Sequence, residues 1–305
     1  MPKPQSSNQL VSWQDIESKL HQIIHAEGGF SQAKRGFVTL DDGSCVFVKI
    51  GTSDNTCRWT NKEILSYQFL EKHNYPHIPQ LLATNANNNG FVITAHLSDD
   101  GWDWNNNWTY ERLNKTLQAM DDLAAIKPEG TDFDCFSEKS IDESNGGWGP
   151  LLDSLESQQI LIEKLRAVDR EDIIGSIDFV DSAQKSSQYR FLNDTLVHND
   201  IRADNCAWNP KTKEVCLVDW NWVQIGDRRT DLAAMLTDVY RSGLEILPQY
   251  VNRLDVDALH WIAGFWFYAA TKPIWDGGPE HLRQLQLLSG VAALDLMNRI
   301  IAKNY

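Results

Sequence analysis

The sequence predicts an α+β fold, with a small antiparallel sheet and one helix followed by a larger, mostly helical region. Three observations lead to it. Short apolar runs bounded by turn residues fill residues 37–95, helical stripes fill most of the chain from residue 108 onward, and one tight hairpin interrupts those helices near residues 206–219. The 305 residues are ample for two domains, and 42% hydrophobic with 23% charged residues is ordinary for a globular chain.

Residues 13–24 place Trp13, Ile16, Leu20, Ile23 and Ile24 at helical spacing, with Ser12 as cap and Asp15 in the first turn. A short helix, or a helix running into a strand, is expected. Residues 28–36, which include Gly28, Gly29, Ser31 and Gly36, then separate two strand-like runs. A loop of this composition can bring backbone N–H groups to a phosphate, although a plain hairpin turn has the same look. Asp41-Asp42-Gly43 signals a turn before a strand over residues 44–50, in which Lys49 sits among Val46, Phe47, Val48 and Ile50. A helix is expected over residues 60–73, with Thr60 and Glu63 in capping-box positions. Residues 75–82 and 90–95 read as two more strands around a polar turn at residues 85–89.

A polar loop over residues 98–104 follows. Helices are expected over residues 108–126 and 151–168, and a helix or a partly irregular approach to the next stretch over 173–187, with a long loop at 127–150 rich in glycine and proline. From Asp231 onward the chain is helical, and its apolar stripes read as core.

Five scattered cysteines without a C-x-x-C pair predict neither disulfides nor zinc. The net charge of −14 argues against nucleic acid and anionic membranes as partners and suits a cationic small molecule, though solubility alone explains an acidic surface. No apolar run in the sequence approaches the roughly 18 residues of a membrane span. Nor does the N-terminal stretch carry the apolar core of a secretory signal, so a cytoplasmic address is expected. Twelve tryptophans, clustered at Trp102, Trp104 and Trp108 and at Trp261, Trp266 and Trp275, read mainly as core, with stacking on a sugar or a cation as the alternative.

The densest functional signal is residues 196–233, LVHNDIRADNCAWNPKTKEVCLVDWNWVQIGDRRTDLA. Two strand-like pieces flank a turn at Asn209, Pro210 and Lys211, which places Asp200, Asn205 and Asp219 at one mouth of the hairpin. Magnesium is a hard ion held by one or two carboxylates plus substrate phosphates. Phosphoryl transfer also needs a carboxylate that orients an attacking hydroxyl and accepts its proton.

These residues resemble the protein-kinase-like phosphotransferases. His198-Asn199-Asp200-Ile201-Arg202-Ala203-Asp204-Asn205 fits H-x-D-x-x-x-x-N, and Leu217-Val218-Asp219-Trp220 stands where protein kinases have D-F-G. The D-W form, with Gly226-Asp227 and Asp231-Leu232-Ala233 behind it, is more similar to the aminoglycoside phosphotransferase and choline kinase branch, where the loop usually begins H-G-D; Asn199 departs from that. The resemblance covers roughly residues 28–296.

It implies a two-lobe kinase-like fold, with an N-terminal nucleotide-binding lobe at residues 1–95 and a C-terminal catalytic and substrate-binding lobe at 96–305. It also implies ATP and Mg2+ as cofactors and a small-molecule hydroxyl substrate, in a monomer or homodimer. Asp200 is then the base, Arg202 a charge stabiliser, and Asn205 and Asp219 the metal ligands. Lys49 contacts phosphate and Glu63 pairs with it, with Glu71 in reserve. Gly29 and Ser31 belong to the phosphate loop, and Ala95 and Leu97 to the hinge, about residues 94–97. His198 and Asp231 brace the loop. Acidic residues such as Asp99, Asp100, Asp103, Asp276 and Glu280 are candidates to meet a cationic acceptor or are plain surface charges.

Three other readings compete. A protein kinase is disfavoured by D-W and by the lack of an A-P-E segment after Asp219. A nucleotide-binding module without turnover conflicts with the presence of Lys49, Asp200, Asn205 and Asp219, and a carbohydrate-binding protein would use the tryptophan clusters instead.

Overall fold

The computed structural model describes residues 11–26, 31–87, 89–94, 101–104, 107–130, 135–137, 146–275 and 278–303. The chain divides into two compact units, Met1–Trp102 and Asp103–Tyr305. The domain boundary expected after residue 95 falls in residues 95–100, outside the described residues.

In the first unit, helix α1 (Trp13–Lys19) starts at Ser12, whose hydroxyl accepts the Asp15 N–H, and runs through a 3-10 turn into strand β1 (Ile24–His25). Strands β2 (Lys34–Thr39), β3 (Cys45–Ile50), β4 (Leu81–Thr84) and β5 (Gly90–Thr94) complete a five-stranded sheet in the order β1-β2-β3-β5-β4, every pair antiparallel. The β2–β3 turn uses Gly43 at φ +84°, where a residue without Cβ is unstrained, and its N–H donates to Leu40 O. Val38, Val46, Val48 and Val92 alternate onto one face and bury against Ile16 of α1.

Two expectations are corrected in this unit. The helix expected at residues 60–73 is α2, Asp54–Lys72, which begins earlier because Ser53 and Thr56 form the capping box. Thr60 is therefore interior and returns its hydroxyl to Thr56 O at 2.8 Å, and Glu63 has no capping duty. The strand expected over residues 75–82 shrinks to Leu81–Thr84, since Pro76 and Pro79 cannot donate to a ladder.

In the second unit, Thr109 caps helix α3 (Tyr110–Ala125). A helical stretch at residues 135–137 is followed by α4 (Trp148–Leu152), α5 (Leu155–Ala167), α6 (Glu171–Ser176) and α7 (Phe179–Gln188), the last two dividing the segment expected over 173–187. The segment expected as one helix over 151–168 is thus broken, with Ser154 capping the second piece. Strands β6 (Thr195–Val197) and β9 (Gln224–Gly226) pair with each other, and β7 (Cys206–Asn209) pairs with β8 (Glu214–Leu217) as the expected hairpin. Helix α8 (Arg228–Arg241) starts at Asp227, earlier than the expected Asp231, because the Asp227 side chain accepts the Arg229 N–H. Helices α9 (Pro248–Val251), α10 (Val256–Thr271) and α11 (Leu282–Lys303) close the chain.

Residues Leu282–Ala302 are long and apolar enough to cross a membrane by length and composition alone, with a mean hydropathy of 1.3, although Arg283, Asp295 and Arg299 interrupt the apolar run. Leu287, Val291, Ala293, Leu294 and Leu296 are nevertheless buried, and Gly290 lies against the Phe267 ring of α10. This is a core helix packed on its neighbour. Of the twelve tryptophans, Trp108, Trp148, Trp208, Trp220 and Trp261 are buried in the core, Trp104 and Trp275 are exposed, and the other five are half-buried.

Candidate active site

In the first unit, β3 alternation puts Lys49 on the face opposite Val46 and Val48, where its Nζ forms an ion pair with Oε1 of Glu63 from α2. Both side chains are buried, where an unpaired charge is expensive and a partner is required. Glu71 is committed elsewhere, accepting the Leu81 N–H at 2.7 Å. Ser31 lies beside Arg35, whose Nη1 donates to its hydroxyl at 3.4 Å. Gly29, Ala95 and Leu97 lie outside the described residues, as do Asp99, Asp100 and Asp276. Asp103 pairs its backbone with Trp208, and Glu280 is exposed.

In the second unit, the loop between β6 and β7 carries Asp200, Arg202 and Asn205. Asn205 Nδ2 donates to both the carbonyl and Oδ2 of Asp200, each at 2.9 Å. Arg202 Nε lies 3.4 Å from Asp200 Oδ1 and, with Nη2, grips Asp204 at 3.1 and 3.2 Å. Burial pushes the Asp200 carboxyl up to about 7; Arg202 opposes the shift, and the negative charges of Asp219 and Asp204 add to it. Asp219, two residues past the end of β8, stands in the left-handed region at φ +65°, and the preceding Val218 N–H donates to Asn205 O at 3.0 Å, so the two hairpin ends are tied at the mouth.

His198 is fully buried. Its Nε2 bonds Val218 O at 3.0 Å while Nδ1 accepts the Asp200 N–H at 3.3 Å, which fits a neutral ring protonated on Nε2. Burial holds its pKa down to about 4. Asp231 accepts the N–H groups of His198 and Asn199 at 3.3 and 2.8 Å, and burial raises its carboxyl to about 6. Both residues brace the loop. Asn199 stands at φ +64°, a conformation that glycine takes freely and asparagine tolerates better than most, and its Nδ2 donates to Trp222 O. The departure from H-G-D therefore keeps the backbone geometry.

Sequence reasoning missed a second set of braces. Arg112, Trp108 and Asp238 bind the far side of the loop, and Asp227 gathers the Tyr189 hydroxyl, the Leu192 N–H and the Arg229 guanidinium. One signal was available for Asp238: it lies two helical turns after Asp231 within the apolar run of α8.

Among the described residues, no group of three or more His, Cys, Asp or Glu has the arrangement of a metal site. The donor set at the hairpin mouth still suits magnesium. The Asn205 amide nitrogen is used on Asp200, which leaves its oxygen as the metal-facing atom, and Asp219 adds one carboxylate. One carboxylate and one amide oxygen, completed by phosphates and water, is a magnesium donor set rather than a zinc one.

A small antiparallel sheet whose buried lysine pairs with a helix glutamate, together with a helical unit carrying the H-x-D loop and hairpin, defines an α+β fold of the protein-kinase-like class. Residues 23–265 match the Phosphotransferase enzyme family (APH), and the chain belongs to that family. No curated protein matches it significantly in sequence. Among solved structures it is similar to an aminoglycoside phosphotransferase from Alicyclobacillus acidocaldarius, at a TM-score of 0.53 and 11% identity over 99% of this chain and 97% of that one. It is also similar to a choline kinase from Streptococcus pneumoniae (TM-score 0.50, 12% identity, 89% and 92% covered). An ethanolamine kinase from Plasmodium vivax aligns with a TM-score of 0.50 at 11% identity, covering 94% and 84%. At such identities the likeness is one of fold.

Proposed function

We propose that the protein is a small-molecule kinase that moves the γ-phosphoryl group of ATP to a hydroxyl, with residues 1–95 as nucleotide-binding lobe and residues 96–305 as catalytic and substrate-binding lobe. The observation that carries this is the Asp200 carboxylate, oriented by Asn205 and Arg202 in a loop tied to the end of the hairpin that bears Asp219. Family membership supports the reaction class.

Asp200 orients the acceptor hydroxyl and takes its proton as the oxygen bonds to the γ-phosphorus and the bond to the β-phosphate oxygen breaks, releasing ADP. Arg202, already shared between Asp200 and Asp204, steadies the base. Lys49, held by Glu63, binds the nucleotide phosphates. Asn205 and Asp219 would hold Mg2+, which when bound supplies positive charge against the phosphate oxygens.

The acceptor is an amino sugar, aminoglycoside, sugar or amino alcohol. The structural neighbours act on aminoglycosides, choline and ethanolamine by their names, and the net charge of −14 suits a cation and repels nucleic acid. We place the enzyme in the cytoplasm as a monomer or homodimer. The test is Mg2+-dependent ADP release across a panel of these acceptors. Stimulation by one class supports the reading and names that class; no stimulation together with no thermal shift on adding MgATP would overturn it.

A further inference from the structure

The loop of residues 198–206 is gripped at two places by one helix. Asp231 and Asp238 are seven residues apart on α8, two turns, and so share a face. Asp231 takes the N–H groups of His198 and Asn199, ahead of Asp200. Asp238 Oδ2 takes the Ala203 N–H at 3.1 Å and the Trp108 indole N–H at 2.9 Å, while Oδ1 pairs with Arg241.

Helix α3 adds a second hand. Arg112 is wholly buried, and its Nη2 donates to the carbonyls of Ala203 and Cys206 while Nη1 donates to Asn107 O at 3.1 Å. The guanidinium carbon lies 4.7 Å from the centre of the Trp108 ring. Asn205 thus sits between two carbonyls fixed by Arg112 and two residues beyond an N–H fixed by Asp238. A buried guanidinium is costly unless its hydrogen bonds are met, so the contact defines one geometry rather than a range.

We propose that Asp238, Trp108 and Arg112 are positioning residues for Asn205, setting the metal-facing end of the loop separately from Asp231, which sets the end carrying Asp200. This rests on the phosphotransfer reading above. A purely structural role would lower stability without changing how much magnesium strengthens nucleotide binding.

The experiment measures ATP affinity by calorimetry with and without Mg2+ for wild type, Trp108→Phe, Arg112→Lys and Asp231→Asn, with near-UV circular dichroism to confirm folding. Loss of a hydrogen bond to a charged group corresponds to about a tenfold effect. Trp108→Phe and Arg112→Lys are therefore expected to lose about tenfold of the magnesium-dependent gain while binding ATP alone as wild type does. Asp231→Asn keeps the gain. If Arg112→Lys fails to fold, Trp108→Phe decides, since it removes one N–H and keeps an aromatic ring. Folded variants with the wild-type gain, or an Asp231→Asn that loses it too, would overturn the inference and leave the proposed function standing. A wild type whose ATP binding ignores magnesium would bring down both.

Discussion

Lys49 with Glu63, both buried, in the first unit and Asp200 with its loop, half-buried, in the second are two charged sites built in opposite ways. The first needs only a strand and the helix after it: β3 alternation puts Lys49 on the face opposite Val46 and Val48, and α2 brings Glu63 to it. The second is irregular backbone held by residues as distant in sequence as Arg112 and Asp238, with neutral donors and a shared arginine around its carboxylate. A charge on regular elements needs one partner, whereas a charge on a loop needs the loop itself to be immobilised.

The comparison breaks first at Asp200. Asp200→Asn keeps the shape and the Asn205 contact at the carbonyl but cannot take a proton, so turnover should fall about 10³-fold, within the usual range for a general base. Affinity for MgATP and the unfolding midpoint should change little. Acceptor-dependent ADP release and calorimetry on the same sample check this, and a variant with wild-type turnover would remove the base from the loop.

Glu63→Gln sharpens the other side. Lys49 then keeps its charge without a charged partner in a buried place, which costs roughly 3 kcal/mol or more of stability. Urea denaturation followed at the first unit should register that loss, and ATP affinity should drop with it. Equal stability of variant and wild type would mean that Lys49 reaches solvent.

How much could be read in advance follows the same division. The hairpin that carries Asp200, Asn205 and Asp219 was legible because turn chemistry is local, whereas Lys49 and Glu63 were picked out through the family resemblance, local signals leaving an edge lysine and a capping glutamate equally open. The start of α2 was misplaced because Thr60 and Glu63 mimic the capping pattern that Ser53 and Thr56 supply. Arg112 was not legible at all: nothing near it in sequence announces that its guanidinium is buried against carbonyls some ninety residues away. The contacts that immobilise the loop belong to tertiary structure.

Acid separates the units further, because the second holds buried neutral histidines. His260, stacked on Trp148 at 5.2 Å, has its pKa lowered by burial to about 4, with Lys185 pushing the same way and Asp257 opposing. A folded pKa below the ordinary 6.5 means that the folded state binds fewer protons, so this contribution is present above pH 6.5 and is lost as pH falls toward 4. Asp200 and Asp231 shift in the opposite sense and mask the effect in wild type alone. The difference between His260→Phe and wild type isolates it. Between pH 6.5 and 4 that difference should move toward the variant by up to about 3 kcal/mol, as read by urea midpoints at each pH.

The smallest effect concerns whether the loop's geometry comes from its own residues or from its clamps. At φ +64°, Asn199 carries backbone strain that glycine would relieve, worth about 1 kcal/mol, but its side chain donates to Trp222 O, a bond worth about as much. Asn199→Gly should therefore leave stability within about 0.5 kcal/mol of wild type, while Asn199→Ala keeps the strain and loses the bond, costing about 1–2 kcal/mol. If both variants match wild type, the Asp231 grip on the His198 and Asn199 N–H groups sets the conformation without help from the side chain. If glycine is as damaging as alanine, the Asn199–Trp222 bond is what joins the loop to the turn after Asp219, and the asparagine at this position ties base and metal ends together where glycine would leave that to the backbone.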